Sequence, residues 1–190
     1  SSADGLNAVL EAKKLGLPVT CEVTPHHLLL SSETLKRYGT LALADPPLRT
    51  AEDVAALWNA LEQGSIDAVA SDHAPHTIEE KEAKTVWDAK PGIAGLETTL
   101  PLLLTKMNEG RLTLADLVRL TSEKPAEIFN LRNRGGLEKG NWADIVVVDI
   151  NRKYKIDSSK FYSKAKYSPF DGWKVMGKPI KTFVNGQLVM

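Results

Sequence analysis

The sequence has one cysteine, Cys21, among its 190 residues, which excludes an internal disulfide. No apolar run approaches the length of a membrane span, and no signal-peptide pattern opens the chain. With a lone thiol and neither kind of segment, a cytoplasmic protein is expected. An excess of charge of one sign is also missing. Lys plus Arg and Asp plus Glu both total 24, so no overall field favours nucleic acid or an anionic membrane. There is no Gly-rich phosphate loop, no Ser nucleophile elbow and no Cys-based site. Cys21 lies in a strand-like stretch and is expected to be buried and inert. Internal repeats and low-complexity tracts are absent as well.

What is present is an apolar content of 43%, enough to pack one medium domain or two small ones. Ser2 is placed to cap a helix running to about Leu15, with Leu6, Val9 and Leu10 on one face and Gly16 to stop it. Pro18 then leads into the strand-like run Val19 to Val23. Such an abrupt start at Ser1 reads as a cut inside a larger fold. Thr50 and Asp53 give a capping-box spacing ahead of Val54, Leu57, Trp58 and Leu61, and Gly64 ends that helix before a second strand at Ala68 to Ala70. Leu96 to Asn108 reads as an apolar helix with Pro101 in its first turn or at a kink. Thr113 starts another helix, and Ser122 or Glu123 with Pro125 starts a short one to about Phe129. Helices alternating with short apolar strands argue for parallel βαβ packing, in a barrel or a doubly wound sheet.

The pattern changes after Leu131. A strand is expected at Asp144 to Asp149, and Asn185-Gly186 between alternating apolar residues is a hairpin signal. These features divide the chain near Arg132 into an α/β part, 1–132, and a small β part, 133–190.

Chemistry concentrates in Ser71-Asp72-His73-Ala74-Pro75-His76-Thr77, directly after the second strand. A strand that ends in Asp and His on a Pro-containing loop presents metal ligands and proton-transfer groups at the carboxyl edge of a sheet. Asp72 could bind a divalent metal or shuttle a proton, and an Asp that caps a loop beside two solvated His is the competing reading. Thr24-Pro25-His26-His27 closes the first strand in the same way. On extended chain, adjacent His side chains point to opposite sides, so one packed and one exposed imidazole are expected. Asp45-Pro46-Pro47-Leu48-Arg49 is a stiff loop able to hold a carboxylate and a guanidinium toward a polar ligand or to pair them with each other. Pro91-Gly92-Ile93-Ala94-Gly95 is either a turn that hugs a ligand or a plain connector. Trp58, Trp87 and Phe129 read as core or loop anchors, and the Lys and Arg between 152 and 181 as a solvated face.

Taken in order, Ser71-Asp72-His73-Ala74-Pro75-His76-Thr77 with Glu79-Glu80-Lys81, the upstream Asp45-Pro46-Pro47-Leu48-Arg49 and the downstream Pro91-Gly92-Ile93-Ala94-Gly95-Leu96-Glu97-Thr98 resemble the carboxyl-terminal portion of a class I dihydroorotase. Glu138-Lys139-Gly140-Asn141-Trp142-Ala143-Asp144 and Ser168-Pro169-Phe170-Asp171-Gly172 extend the similarity to nearly the whole chain. Allantoinases and dihydropyrimidinases share the Ser-Asp-His start, whereas His76 within Ala-Pro-His-Thr is similar to dihydroorotases.

The resemblance implies the last βα units of a TIM-like (β/α)8 metal-dependent hydrolase barrel, with 19–23 as its seventh strand and 68–71 as its eighth, followed by part of a small β-sandwich. It implies two zinc ions and the reversible hydrolysis of dihydroorotate to N-carbamoyl-aspartate in pyrimidine biosynthesis. Asp72 would be a metal ligand and the catalytic acid/base; His76 would bind the substrate carboxylate; Pro91 and Gly92 would line the ring. The family has Asn where this chain has Asp45, in the substrate region. Its remaining metal ligands belong to earlier strands, the last of them just ahead of Ser1, and none of the four His residues, His26, His27, His73 and His76, matches them. A segment supplying only Asp72 is expected to be inactive alone and to need an amino-terminal half or a partner chain. The alternatives are a non-catalytic dihydroorotase-like subunit, or an allantoinase-like or dihydropyrimidinase-like enzyme.

Overall fold

The computed structural model describes residues 1–190. Helix α1 (Ala3–Lys14) starts where Ser2 accepts a hydrogen bond from the Gly5 amide. Strand β1 (Glu22–Val23) follows, then α2 (Pro25–Leu29), α3 (Ser32–Tyr38) and a 3₁₀ turn, Gly39–Ala42. Helix α4 (Ala51–Glu62) opens on a reciprocal capping box between Thr50 and Asp53, as the spacing predicts. Strand β2 (Ala68–Val69) then pairs parallel with β1, Glu22 opposite Ala68 and Val23 opposite Val69. Because the pair is parallel, both strands deliver the chain to the same edge, where their loops meet.

The strands are shorter than their apolar runs. Residues 19–21 lie outside β1, yet Asp67 still ties Cys21 in place by accepting from its amide at 2.8 Å and from Lys13 Nζ at 2.6 Å. Cys21 itself is half-buried.

After the short α5 (Ile78–Lys81), helix α6 (Leu96–Asn108) buries Leu102, Leu103 and Leu104. Pro101 sits in its second turn rather than its first. Helix α7 (Leu114–Val118), a π-helical turn (Arg119–Glu123) and α8 (Lys124–Ile128) follow one another without a break. The two helices expected there are therefore one wound stretch, whose wider turn takes up the register change before Pro125, which has no amide hydrogen to donate.

Strand β3 (Ile145–Lys155) pairs antiparallel with β4 (Lys174–Val184), which turns at Asn185-Gly186 into β5 (Gln187–Leu188). Both turn residues have positive φ, 51° and 79°, the geometry for which Asn-Gly is suited. At Gly177 the sheet meets α6 so closely that a Cβ would lie 2.5 Å from the Leu104 Cβ.

Two apolar clusters hold the chain. Val23, Leu28, Leu57, Trp58, Leu61, Ile66, Val69, Leu103 and Leu120 pack around the parallel pair. Leu30, Leu48, Ile93 and Leu102 pack with Ile156, Phe161, Phe170 and Val175, so residues on both sides of position 132 share this second cluster. Trp58 is a core anchor, as expected. Trp87 and Phe129 are not: they are 92% and 70% exposed, Trp87 in a turn of the connection between α5 and α6 and Phe129 at the carboxyl end of α8. No helix is long and apolar enough to cross a membrane.

Candidate active site

The loop after β2 turns sharply at Asp72, whose φ of 45° is left-handed, a conformation Asp tolerates better than most residues. Its side chain stays 45% exposed and faces back toward the end of β1, with Oδ2 3.7 Å from His26 Nε2. The ends of the two strands therefore converge.

The His pair departs from the sequence expectation. Thr24 accepts from the His27 amide and caps α2, so Pro25 to Leu29 is helical and both rings are buried, 1% and 5% exposed. Helical winding replaces the alternation of extended chain, and the ring centroids lie 4.5 Å apart. His27 Nε2 donates to the Pro46 carbonyl at 3.0 Å, which leaves Nδ1 to accept from the Thr24 hydroxyl at 2.8 Å. Burial pushes the pKa of His27 down and that of His26 down to about 3, so both rings are neutral at physiological pH.

His27 thereby fixes the loop that carries Asp45. Ala44 and Leu48 anchor that loop in the core, and the Asp45-Pro46 peptide is cis. Asp45 is exposed and pairs with no cation, Arg49 included, so its carboxylate is free.

The loop through Pro91 and Gly92 lies directly against the loop after β2. Ala74 N donates to Ile93 O at 3.2 Å, and Gly92 N to Leu43 O at 2.8 Å. A Cβ on Gly92, whose φ is 139°, would lie 2.5 Å from the Ala74 Cβ and 2.8 Å from the Ala74 carbonyl oxygen, so this approach requires glycine. His73 does not join Asp72 in a cluster. Its Nδ1 accepts from the Gly95 and Leu96 amides at 3.1 and 3.2 Å, satisfying the start of α6.

His76 has both ring nitrogens opposite acceptors, Nδ1 against Glu80 Oε2 at 3.3 Å and Nε2 against the Pro91 carbonyl at 3.1 Å. Glu80 also accepts from the Thr77 amide and, with both oxygens, from Lys164 Nζ at 3.2 and 2.9 Å. The hydrogen bond from Lys164 and that from Thr77 draw the Glu80 pKa down to about 2. Lys164 thus leaves the solvated face assigned to residues 152–181, because the tertiary fold brings it over α5. Burial pushes the nearby Tyr167 phenol up to about 12, with the Glu80 charge adding to it.

Lys81 was not singled out from sequence. It is fully buried, and Nζ donates to Leu43 O at 2.8 Å and Gly92 O at 2.9 Å. The Thr77 to Glu80 spacing is a capping box and marks α5 as a helix; nothing in the run Glu79-Glu80-Lys81-Glu82 distinguishes the one side chain that turns inward.

The structure thus puts His76, Pro91 and Gly92 in contact beside the loop that carries Asp72, and ties the Asp45 loop to His27 through Pro46 O and to Gly92 through Leu43 O. These residues do not by themselves complete a zinc centre. No three His, Cys, Asp or Glu side chains converge, and Asp72 has one imidazole nitrogen near it, 3.7 Å away.

Comparison with known proteins bears on this arrangement. The Amidohydrolase family matches residues 2–189. Dihydroorotase from Wolbachia sp. subsp. Drosophila simulans (strain wRi) is 44% identical over 189 residues, covering 100% of this chain and 42% of the relative. Dihydroorotase from Methanothermobacter thermautotrophicus is 47% identical over 172 residues, 90% of this chain and 39% of that protein. Among solved structures, the L-hydantoinase (dihydropyrimidinase) from Arthrobacter aurescens superposes with a TM-score of 0.94 at 42% identity, covering 100% of this chain and 43% of its own. This chain therefore spans less than half the length of the relatives it matches.

Proposed function

The chain belongs to the amidohydrolase family, and from that premise we propose that it is the carboxyl-terminal part of a class I dihydroorotase. The reading rests most heavily on one observation: Asp72 stands exposed at the joined ends of two parallel strands, beside the rim that carries His76, Pro91 and Gly92. Identity of 44% to a dihydroorotase along the full length of this chain supports the same assignment.

In this reading residues 1–132 contribute the last two βα units of a (β/α)8 barrel, and 133–190 contribute the three strands β3 to β5 to a β-sandwich. The rest of the barrel, and the ligands other than Asp72 for two zinc ions, come from polypeptide outside these residues. Asp72 is the acid/base: its carboxylate accepts the proton of the attacking water and returns it to the ring nitrogen as the cyclic amide opens. His76 binds the substrate carboxylate. For that, Nε2 exchanges the Pro91 carbonyl for the incoming anion, while Glu80 keeps hold of Nδ1. The Pro91-Gly92 backbone lines the ring, where a side chain on Gly92 would collide with Ala74. The substrate pair is dihydroorotate and N-carbamoyl-aspartate, and the pathway is pyrimidine biosynthesis.

A second reading, hydrolysis of a different cyclic amide, is favoured by the 42% identity to an L-hydantoinase. Steady-state assays of the intact protein with dihydroorotate, allantoin and dihydrouracil separate the two. Turnover of dihydroorotate at least about a hundredfold more efficient than of the others is expected. Preference for either of the others overturns the assignment.

A further inference from the structure

One buried side-chain polar atom in this chain has no hydrogen-bond partner, and it is Nε2 of His26. The ring is 1% exposed, so solvent does not serve it, and an unpaired buried polar group is costly to keep. Its ring neighbour cannot serve it either, since His27 spends both nitrogens on Thr24 and Pro46. The carboxylate it faces is that of Asp72, with Oδ2 3.7 Å away. A shortening of about 0.7 Å brings the pair into hydrogen-bond range.

Both sides of this gap are held in place. His26 rides on α2, which is fixed by the Thr24 cap and by burial of Leu28. Asp72 is fixed by its left-handed backbone and by the pairing of β2 with β1. A strained backbone at the reacting carboxylate, opposite a buried nitrogen with nothing else to bond, is the arrangement of a preset contact.

We propose that His26 is a positioning residue for Asp72: its Nε2–H donates to Oδ2 in the assembled site and leaves the other carboxylate oxygen to the reacting centre. The inference deepens the dihydroorotase reading and rests on it for the identity of the reaction. His26 touches no reacting atom itself. Its effect is to remove the rotational freedom of the carboxylate, which otherwise has to be lost at each turnover.

The test uses the intact zinc-loaded protein and three forms: wild type, His26→Phe, which keeps a buried ring without a donor, and His26→Asn, which keeps an N–H donor. With dihydroorotate, His26→Phe is expected to lose about tenfold or more in kcat with KM changed less than about twofold, and His26→Asn to recover part of that loss. Equal kcat in all three, or equal losses in both variants, overturns the proposal. A high-resolution crystal structure of the wild-type protein gives a readout independent of activity and of how the variants fold. A distance from Nε2 to Oδ2 at or below about 3.2 Å supports the proposal; a water or a different acceptor on Nε2 overturns it. If the wild-type protein turns over no dihydroorotate, the parent reading fails, while the crystallographic distance still decides the pairing.

Discussion

Lys81 and Gly92 are joined by a hydrogen bond of 2.9 Å from a fully buried ammonium to a backbone carbonyl. The same Nζ reaches Leu43 O, so one side chain clamps the loop before Asp45 to the loop that would line the substrate ring. No carboxylate pairs with this lysine, and burial alone pushes its pKa down to about 8. A neutral amine still offers two N–H groups to the two carbonyls, so the clamp survives loss of the proton.

This gives a pH dependence with a definite sign. The ordinary pKa of 10.5 is lowered to about 8 on folding, so between those values the unfolded chain binds the extra proton and stability rises with pH. Up to about 3 kcal/mol is gained across the window. The thermal midpoint of the wild-type intact protein, minus that of Lys81→Met, is expected to increase from pH 8 to 10.5. A flat or falling difference would show that Lys81 is not desolvated.

Asp72→Asn is expected to lower dihydroorotate turnover by at least about a hundredfold, the contribution of a positioned proton-transfer group. Asn suits the left-handed backbone at φ 45° as well as Asp does, so the melting temperature should change little. Retained turnover in this variant would remove Asp72 from the chemistry.

Glu80→Gln keeps the shape of the Lys164–Glu80–His76 chain but removes its central charge. Because charge-assisted hydrogen bonds are about twice as strong as neutral ones, the contact that orients His76 is weakened. KM for dihydroorotate should rise about fivefold with kcat preserved. A fall in kcat at constant KM would place His76 in the chemical step instead of in binding.

Asp45→Asn replaces an exposed, unpaired carboxylate. Two like charges about 4 Å apart in water repel by about 1 kcal/mol, so KM for the anionic substrate should fall about fivefold. Stability should stay within about 0.5 kcal/mol, the range for surface changes. An unchanged KM would put Asp45 outside the substrate's reach.

Much of the fold was legible along the chain where local rules act. The Ser2 and Thr50 caps, the stop at Gly64 and the Asn185-Gly186 hairpin all form as their spacing predicts, because each depends on residues within one turn of one another. Asp72, His76, Pro91 and Gly92 were named through resemblance, and of these the structure puts His76 against the Pro91 carbonyl and Gly92 against Ala74, two residues after Asp72. The His pair departs from the expectation because Thr24, directly after the apolar run, caps a helix where extended chain was expected to continue.

By itself, then, the sequence determined the local elements, the family and the short run around Asp72, since caps, turns and motifs are written in neighbouring residues. Tertiary structure alone decided that His26 faces Asp72 across 46 residues, that Lys81 turns inward to Leu43 and Gly92, and that Lys164 crosses 84 residues to Glu80. Those contacts follow from where β1 and β2 pair and where residues 156–175 pack on the α/β part. Burial and partner are properties of the folded surroundings, which local spacing does not encode.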